Sequence, residues 1–298
     1  MASTLGTANF VLINDGSAID TSGVTFTLDD GQTIDTFGGG RTFAESGFII
    51  PLNITGTNLP AGGITVTDPT GLGAATLTNS GGGGATLVLA NGNAIRNIIV
   101  GSSAGNAVSG SGIAGVTISG VTSTAGIDLT SATGAVTLSN LAISNTSGSA
   151  LSLAGIAGTV TGTNVDITGV NSLAVSGGNG AISFDAGSSV INSSGTAVAI
   201  TGRVGGSFSH FGSISSNGGT ASGITISGAT GANSVTFGGQ VSLGTTTALT
   251  SVGVSVDNGG TASTVAFDGG LQVVTSTAAA LAGTGGGTLR ISDNCVPV

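Results

Sequence analysis

The chain has 298 residues, of which 57 are glycine and only 6% are charged, and its formal net charge is −9 at pH 7. The four basic residues are all arginine, so the sequence offers no basic patch for phosphate groups, which argues against nucleic acid and anionic membrane partners. Glycine or a hydroxyl residue interrupts every apolar run well before the roughly 18 residues of a transmembrane helix, so we expect no transmembrane segment.

Residues 1–60 differ in composition from the rest of the chain. They hold five of the ten phenylalanines and two of the four prolines. Residues 1–9 have neither a basic residue nor the apolar core of a secretory leader. Because a repeat protein must cover the exposed end of its core, we predict that residues 1–60 form an N-terminal cap or an irregular first part of the coil. Residues 61–298 are predicted to form the repeat itself.

The repeat consists of short segments in which Val, Ile, Leu and Phe alternate with small polar residues, the period of β-strands. Three sets of segments recur, and each set can be aligned on one apolar residue. The central column contains Ile118, Leu138, Val160, Phe184, Phe208, Phe237 and Phe267. The preceding column contains Leu129, Leu153, Val175, Ile200, Ile226 and Val256. The following column contains Ile143, Ile167, Ile214, Leu243 and Val273.

Three strands that recur with glycine-rich corners between them indicate a stacked coil of parallel strands. The sequence therefore predicts an all-β protein, a right-handed parallel β-helix (β-solenoid) with three short strands per rung and roughly 20–30 residues per rung. Alternate apolar residues are expected to fill the interior, glycines to turn the corners, and hydroxyl residues to face water.

The C-terminal segment "GTLRISDNCVPV" ends soon after its last predicted strand. A bare parallel edge pairs readily with another chain. We therefore expect the C-terminal end to be either a cut made in a longer protein or an uncapped surface that meets a neighbour. The residues predicted for such a head-to-tail junction are Leu289, Ile291 and Cys295 at one end and Phe10, Leu12 and Phe26 at the other.

Two segments resemble right-handed parallel β-helix proteins of bacterial surfaces, namely autotransporter passenger domains and filamentous-haemagglutinin-type adhesins. "VTFTLDDGQTI" (24–34) resembles an opening "TLxDGQxL" segment of these proteins, and "LVLANGNAIRNIIV" (87–100) resembles their "L-x-x-N-x-I-R-x-L-x-I" rung. The resemblance implies an extracellular or cell-surface protein of bacterial origin. Nothing in the chain resembles the membrane barrel of an autotransporter.

Few residues suggest chemistry of their own. Arg96 is expected to hydrogen-bond carbonyls at a corner, with an acidic ligand as the alternative. His210, the only histidine, has no second metal ligand or nucleophile at useful spacing. Asp29 and Asp30 precede a glycine and are typical of a turn, with calcium binding as the alternative. We expect no cofactor.

Two other functions remain open. Asp166, Asp185 and Arg203 are spaced so that neighbouring rungs would bring them together, as polysaccharide binding or cleavage would require, but the chain has no Trp or Tyr to stack on a sugar. Ice binding would need a flat array of threonines. The pairs Thr117 with Ser119, Thr137 with Ser139 and Thr159 with Thr161 begin such an array, which then decays towards Ala266 with Asp268.

The sequence thus predicts a non-catalytic extracellular structural protein. Little surface charge means little repulsion between copies, so we expect a filament subunit that assembles head to tail with copies of itself, or a cell-surface adhesin or passenger segment with a glycan or host-surface ligand.

Overall fold

The computed structural model describes residues 10–13, 17–37, 73–102, 105–216, 222–258 and 262–292. All regular secondary structure in these ranges is β-strand, and every strand pairing is parallel. The strands stack in three columns, so the chain is a parallel β-solenoid. The predicted fold class is confirmed.

The bounds of the strands follow the three predicted columns. The central column is formed by β1 (Phe10–Ile13), β4 (Thr33–Phe37), β7 (Ala94–Arg96), β10 (Val116–Ser119), β15 (Ala181–Phe184), β18 (Gly206–His210), β21 (Asn233–Phe237), β24 (Thr264–Phe267) and β27 (Thr288–Ile291). The following column is formed by β2 (Ile19–Asp20), β5 (Ala75–Thr78), β8 (Ile98–Val100), β11 (Thr122–Ser123), β16 (Ser189–Asn192), β19 (Ser213–Ser216), β22 (Val241–Leu243) and β25 (Leu271–Val273). The preceding column is formed by β3 (Phe26–Thr27), β6 (Leu87–Leu89), β9 (Val108–Ser111), β12 (Ile127–Thr130), β17 (Val198–Thr201), β20 (Ile224–Ser227), β23 (Val254–Asp257) and β26 (Leu281–Thr284). Two long strands, β13 (Ala135–Ala154) and β14 (Thr159–Ser176), each run through all three columns.

The length of a turn follows from the register. Val116 pairs with Val136, 20 residues later, and Val235 pairs with Val265, 30 residues later. The step from Ile34 to Ile95 is longer, and most of its residues lie outside the described ranges. Strands β1 to β4 lie in the same columns as the later strands, whereas much of the predicted cap region, residues 1–60, is outside the described residues.

The preceding column matches its predicted alignment at every position. Leu129 pairs with Leu153, Leu153 with Val175, and the register continues through Ile200, Ile226 and Val256. All six side chains are buried. In this column the alternation of apolar residues therefore predicted both which side chains point inward and which residues pair between turns.

The central column differs from its predicted alignment at two positions. Leu138 pairs with Gly162 rather than with Val160, and Phe184 pairs with His210 rather than with Phe208. Val160 and Phe208 are also buried, but each lies two residues before the position in its strand that pairs with Leu138 or with Phe184. A shift of two residues keeps the same face of a strand inward, so the alternation that located the column does not distinguish the two registers.

The following column shows the same effect. Ile167 pairs with Val190, a buried residue missing from the predicted set, and Val190 pairs with Ile214. Ile214 then pairs with Val241, so Leu243 lies two residues further along its strand than predicted.

A row of residues with left-handed backbone turns the corner after the preceding column. Gly155 and Gly177 have φ values of 62° and 58°, and each donates its N–H to the strand end of the next turn. Glycine adopts this conformation without the steric cost that a Cβ atom imposes. The expectation that glycines turn the corners is confirmed here.

Candidate functional site

The last described turn exposes apolar side chains that point along the interior columns. Leu289 continues the register of Val265, Ile291 that of Phe267, and Leu281 that of Val254. Leu281, Leu289 and Ile291 are 38%, 37% and 45% exposed, whereas their partners one turn earlier are at most 1% exposed. The contrast arises because no described strand lies beyond β26 and β27. This apolar surface, formed by Leu281, Leu289 and Ile291, is called the open end below.

The opposite end of the described coil begins with β1. Phe10 and Leu12 lie in this strand, which pairs with β4 on one side. Leu12 and Phe26 are partly buried against the hydrophobic core. Cys295, the remaining residue predicted for the junction, lies outside the described residues. The other five predicted residues thus lie at the two ends of the described coil.

The acidic residues considered for glycan cleavage are held in hydrogen bonds between neighbouring turns or within a corner. Asp185 accepts the Asn164 N–H at 2.9 Å and the Ser188 hydroxyl at 2.8 Å. These bonds, that from the Asn164 N–H first, hold the pKa of Asp185 below its usual value. Asp166 accepts the Ser189 hydroxyl at 2.6 Å. Asp185 therefore stabilises the corner that leaves the central column, and Asp166 links neighbouring strands of the following column.

Arg203 lies at the corner between the preceding and central columns, between β17 and β18, so the structure does not bring it together with Asp166 and Asp185. It is buried, with only 3% of its surface exposed, and its guanidinium donates to the carbonyls of Gly180 at 2.6 Å and Gly177 at 3.3 Å. Desolvation by burial lowers the pKa of Arg203. The residue is an internal brace between successive turns.

Replacing Arg203 with methionine is expected to lower the free energy of unfolding by about 2 kcal/mol, because buried carbonyls of Gly177 and Gly180 lose their donor. Chemical denaturation measures the difference. The control is Arg290→Met, which removes an ion pair to Asp268 from a side chain that is 60% exposed and is expected to cost less than about 1 kcal/mol. Equal losses in the two variants would contradict the bracing role.

His210 lies inside the coil between phenylalanines of neighbouring turns. Its ring is fully buried, 5.5 Å from the ring of Phe184, and its Nδ1 is 3.2 Å from the Gly212 carbonyl. Nε2 has no hydrogen-bond partner among the described residues. Burial lowers the pKa of His210 to about 4, so the imidazole is neutral at pH 7. A neutral ring in an aromatic stack is a core residue.

The predicted turn at Asp29 and Asp30 is present and is bound to the next turn. The Asn91 N–H donates to Asp30 at 3.0 Å, and the Asn93 amide donates to the Asp29 carbonyl at 2.7 Å. The Arg96 side chain lies on a strand whose register places it between Asp35 and Ser119. Hydrogen bonds between turns account for the Asp residues at this corner.

Sequence reasoning missed a row of asparagines at the corner after the central column. Asn97, Asn140 and Asn164 have φ values of 51° to 53°. The Asn164 amide donates to Asn140 at 3.0 Å. Asparagine tolerates left-handed backbone better than most residues, and its recurrence after a central strand, in "RNI", "SNL" and "TNV", is the signal that would have located this corner.

The register changes the hydroxyl array considered for ice binding. Thr117, Thr137, Thr161, Ser183, Ser209 and Thr236 form one continuous row between neighbouring turns. Thr161, not Thr159, therefore belongs to this row. The parallel row through Thr159 is interrupted by Ala135 and Ala181. The row on the other side contains hydroxyls at Ser119, Ser139 and Thr163 only, so the second dimension of the array is short.

The described residues contain no group of three or more His, Cys, Asp and Glu side chains placed to hold a metal ion. In the same ranges there is no helix with the length and hydropathy of a membrane span. No protein-family model, curated protein or solved structure matches the chain. The parallel β-solenoid therefore rests on the strand pairings, and kinship with autotransporter or haemagglutinin-type proteins rests on the resemblance of two segments alone.

Proposed function

We propose that this protein is a non-catalytic structural β-solenoid of the bacterial cell surface or exterior, which assembles head to tail into filaments. The observation that carries the proposal is the open end, where Leu281, Leu289 and Ile291 continue fully buried columns yet are more than a third exposed. A further turn of parallel strands would bury them. Strand β1 of a second copy, which belongs to the central column, can pair with β27 and cover Leu289 and Ile291.

The geometry of stacking favours this partner over an unrelated one. Within the chain, each strand pairs with the strand about one turn later in parallel register, and inward positions stack on inward positions. A second copy can repeat that arrangement across the junction at the same spacing of about 4.8 Å. Because a head-to-tail contact of this kind does not close on itself, repetition yields an open fibre.

Low surface charge supports the same proposal. Charged residues make up 6% of the chain, far below the roughly 25% of an ordinary domain. A contact between copies therefore has few charged side chains to desolvate. The extracellular location and the adhesin alternative rest on the resemblance to surface proteins.

Substitution of Ile291 tests the junction. Ile291→Asp is expected to raise the concentration needed for half-assembly at least about tenfold, because assembly would bury an unpaired carboxylate. Sedimentation velocity and electron microscopy of the full chain measure this. The matched control is Ile191→Asp, since Ile191 is 46% exposed on a side face and Ile291 is 45% exposed at the open end.

Regular fibres in the wild-type protein and in Ile191→Asp, with monomers in Ile291→Asp, would support end-to-end assembly. Monodisperse short rods of the wild-type protein at high concentration would refute it and favour an adhesin or passenger segment. Sedimentation with and without reductant reports whether Cys295 forms a disulfide between copies.

A further inference from the structure

The corner between the following and preceding columns changes length abruptly near β12. In two earlier turns this corner spans residues 79–86 and 101–107, but between β11 and β12 it consists of residues 124–126 alone. In β13 the register then shifts between Asn145 and Ser149, so the chain bulges outward again. A short corner between longer ones leaves a recess in the side of the solenoid.

The recess is a groove of about 510 Å³, within the roughly 300–1,000 Å³ of small-molecule sites. Its polar lining comprises Asn106, Ser109, Asp128, Asn145, Ser147, Ser149 and Ser152. No basic and no aromatic side chain lines it. The lining therefore offers hydrogen bonds and one negative charge to a ligand.

The floor of the groove is a row of three side chains on adjacent strands. Ser109 pairs with Asp128 and Asp128 pairs with Ser152, so a carboxylate lies between two hydroxyls at intervals of about 4.8 Å. The side chains of all three, and that of Asn106, make no hydrogen bond with other described residues. Four polar side chains thus line the groove without a hydrogen-bond partner among the described residues.

The wall opposite Asn106 is held rigidly. The Asn145 amide donates to the Ser149 carbonyl at 2.9 Å, and its oxygen accepts the N–H groups of Ser147 and Gly148 at 3.0 and 3.3 Å. At the base, a Cβ atom on Gly126 would lie 2.6 Å from the Ser149 carbonyl oxygen and 2.8 Å from Asn106 Oδ1. Glycine at position 126 is what lets the two walls approach each other.

From this geometry we propose that the groove binds one residue of a neutral saccharide. Asp128 accepts hydrogen bonds from adjacent sugar hydroxyls, while Ser109, Ser152 and Asn106 both donate and accept, which matches the dual character of a hydroxyl group. Phosphate, sulfate and carboxylate groups are disfavoured because Asp128 repels them and no cation lines the groove. Without an aromatic platform, binding depends on hydrogen bonds and is weak for a single site.

The test begins with the full chain on a printed array of neutral mono- and oligosaccharides, with sialylated glycans and amines as charged comparators. Calorimetry then measures the affinity of retained glycans. Asp128→Ala is expected to weaken binding at least about tenfold, and Ser152→Phe to abolish it by filling the groove. Asp166→Ala, which removes an exposed carboxylate from another column, is expected to leave the affinity unchanged.

Retention of a neutral saccharide that is lost in both groove variants and kept in Asp166→Ala would establish the site. The proposal is overturned if no neutral saccharide is retained, if only charged ligands are retained, or if the groove variants bind as well as the wild type. Circular dichroism of each variant confirms that the loss is not one of folding. The readout is independent of filament formation.

Discussion

Gly158→Ala is expected to lower the free energy of unfolding by about 3 kcal/mol or more, which corresponds to a fall in Tm on the order of 10 °C. A Cβ atom at this position would lie 2.1 Å from the Gly134 carbonyl oxygen and 2.7 Å from two further backbone atoms of Gly134. Backbone cannot rotate away as a side chain can. The turns would have to separate at the start of the central column, where the Thr159 N–H donates to the Gly134 carbonyl at 3.3 Å.

The matched control is Gly83→Ala. Gly83 is exposed, and no atom lies within 4 Å of the position of an added Cβ. Its substitution is expected to change stability by no more than about 0.5 kcal/mol. Thermal and urea denaturation of the two variants measure the difference. If Gly158→Ala has the same Tm as Gly83→Ala and the wild type, close backbone stacking at this corner is not a source of stability.

The second large effect concerns pH. His210 has a pKa of about 4 in the folded chain, mainly because it is desolvated, against 6.5 for an exposed histidine. Above pH 6.5 the ring is neutral in both states, so its contribution to stability is fully present. As the pH falls from 6.5 to about 4, the unfolded chain takes up a proton that the folded chain does not, and stability declines by about 3 kcal/mol in total.

Denaturant titrations at several pH values between 7 and 4 test this expectation. His210→Phe is the informative variant, because phenylalanine occupies the same inward position at Phe184 and Phe237 in the neighbouring turns. The variant should show a nearly flat profile over that interval. Parallel profiles for the variant and the wild type would assign the pH dependence to other groups. Below this interval the lowered pKa values of Asp20 and Asp185 add a further loss of stability.

The aromatic interior illustrates how far the sequence reaches. Phe184, Phe208, Phe237 and Phe267 were predicted to be inward, and all four are buried. Their rings do not form one straight stack. The ring centroids of Phe237 and Phe267 are 4.9 Å apart. Phe208 lies in the neighbouring inward row, with its centroid 6.4 Å from that of Phe184 and 5.9 Å from that of Phe237. His210 completes the row that Phe208 was expected to occupy.

The groove illustrates what local patterns omit. Ser109, Asp128 and Ser152 are ordinary outward residues in their own segments. They form a row only because register places them on adjacent turns, and they lie in a recess only because the corners on either side are longer. The groove depends on the lengths of three successive corners and on the register of two strand pairs, so no single segment of the sequence could have predicted it.

The sequence by itself determined the parallel β-solenoid, the three columns, the inward alternation and the glycine corners, since each follows from a residue pattern within a few positions. Tertiary structure alone decided with which residues Val160 and Phe208 pair, that His210 is a core residue, that Arg203 lies apart from Asp166 and Asp185, and where the groove opens. The physical reason is the period of two in a strand. A shift of two residues leaves every side chain on its face, so the choice of partner depends on how neighbouring turns pack and on how much chain each corner contains.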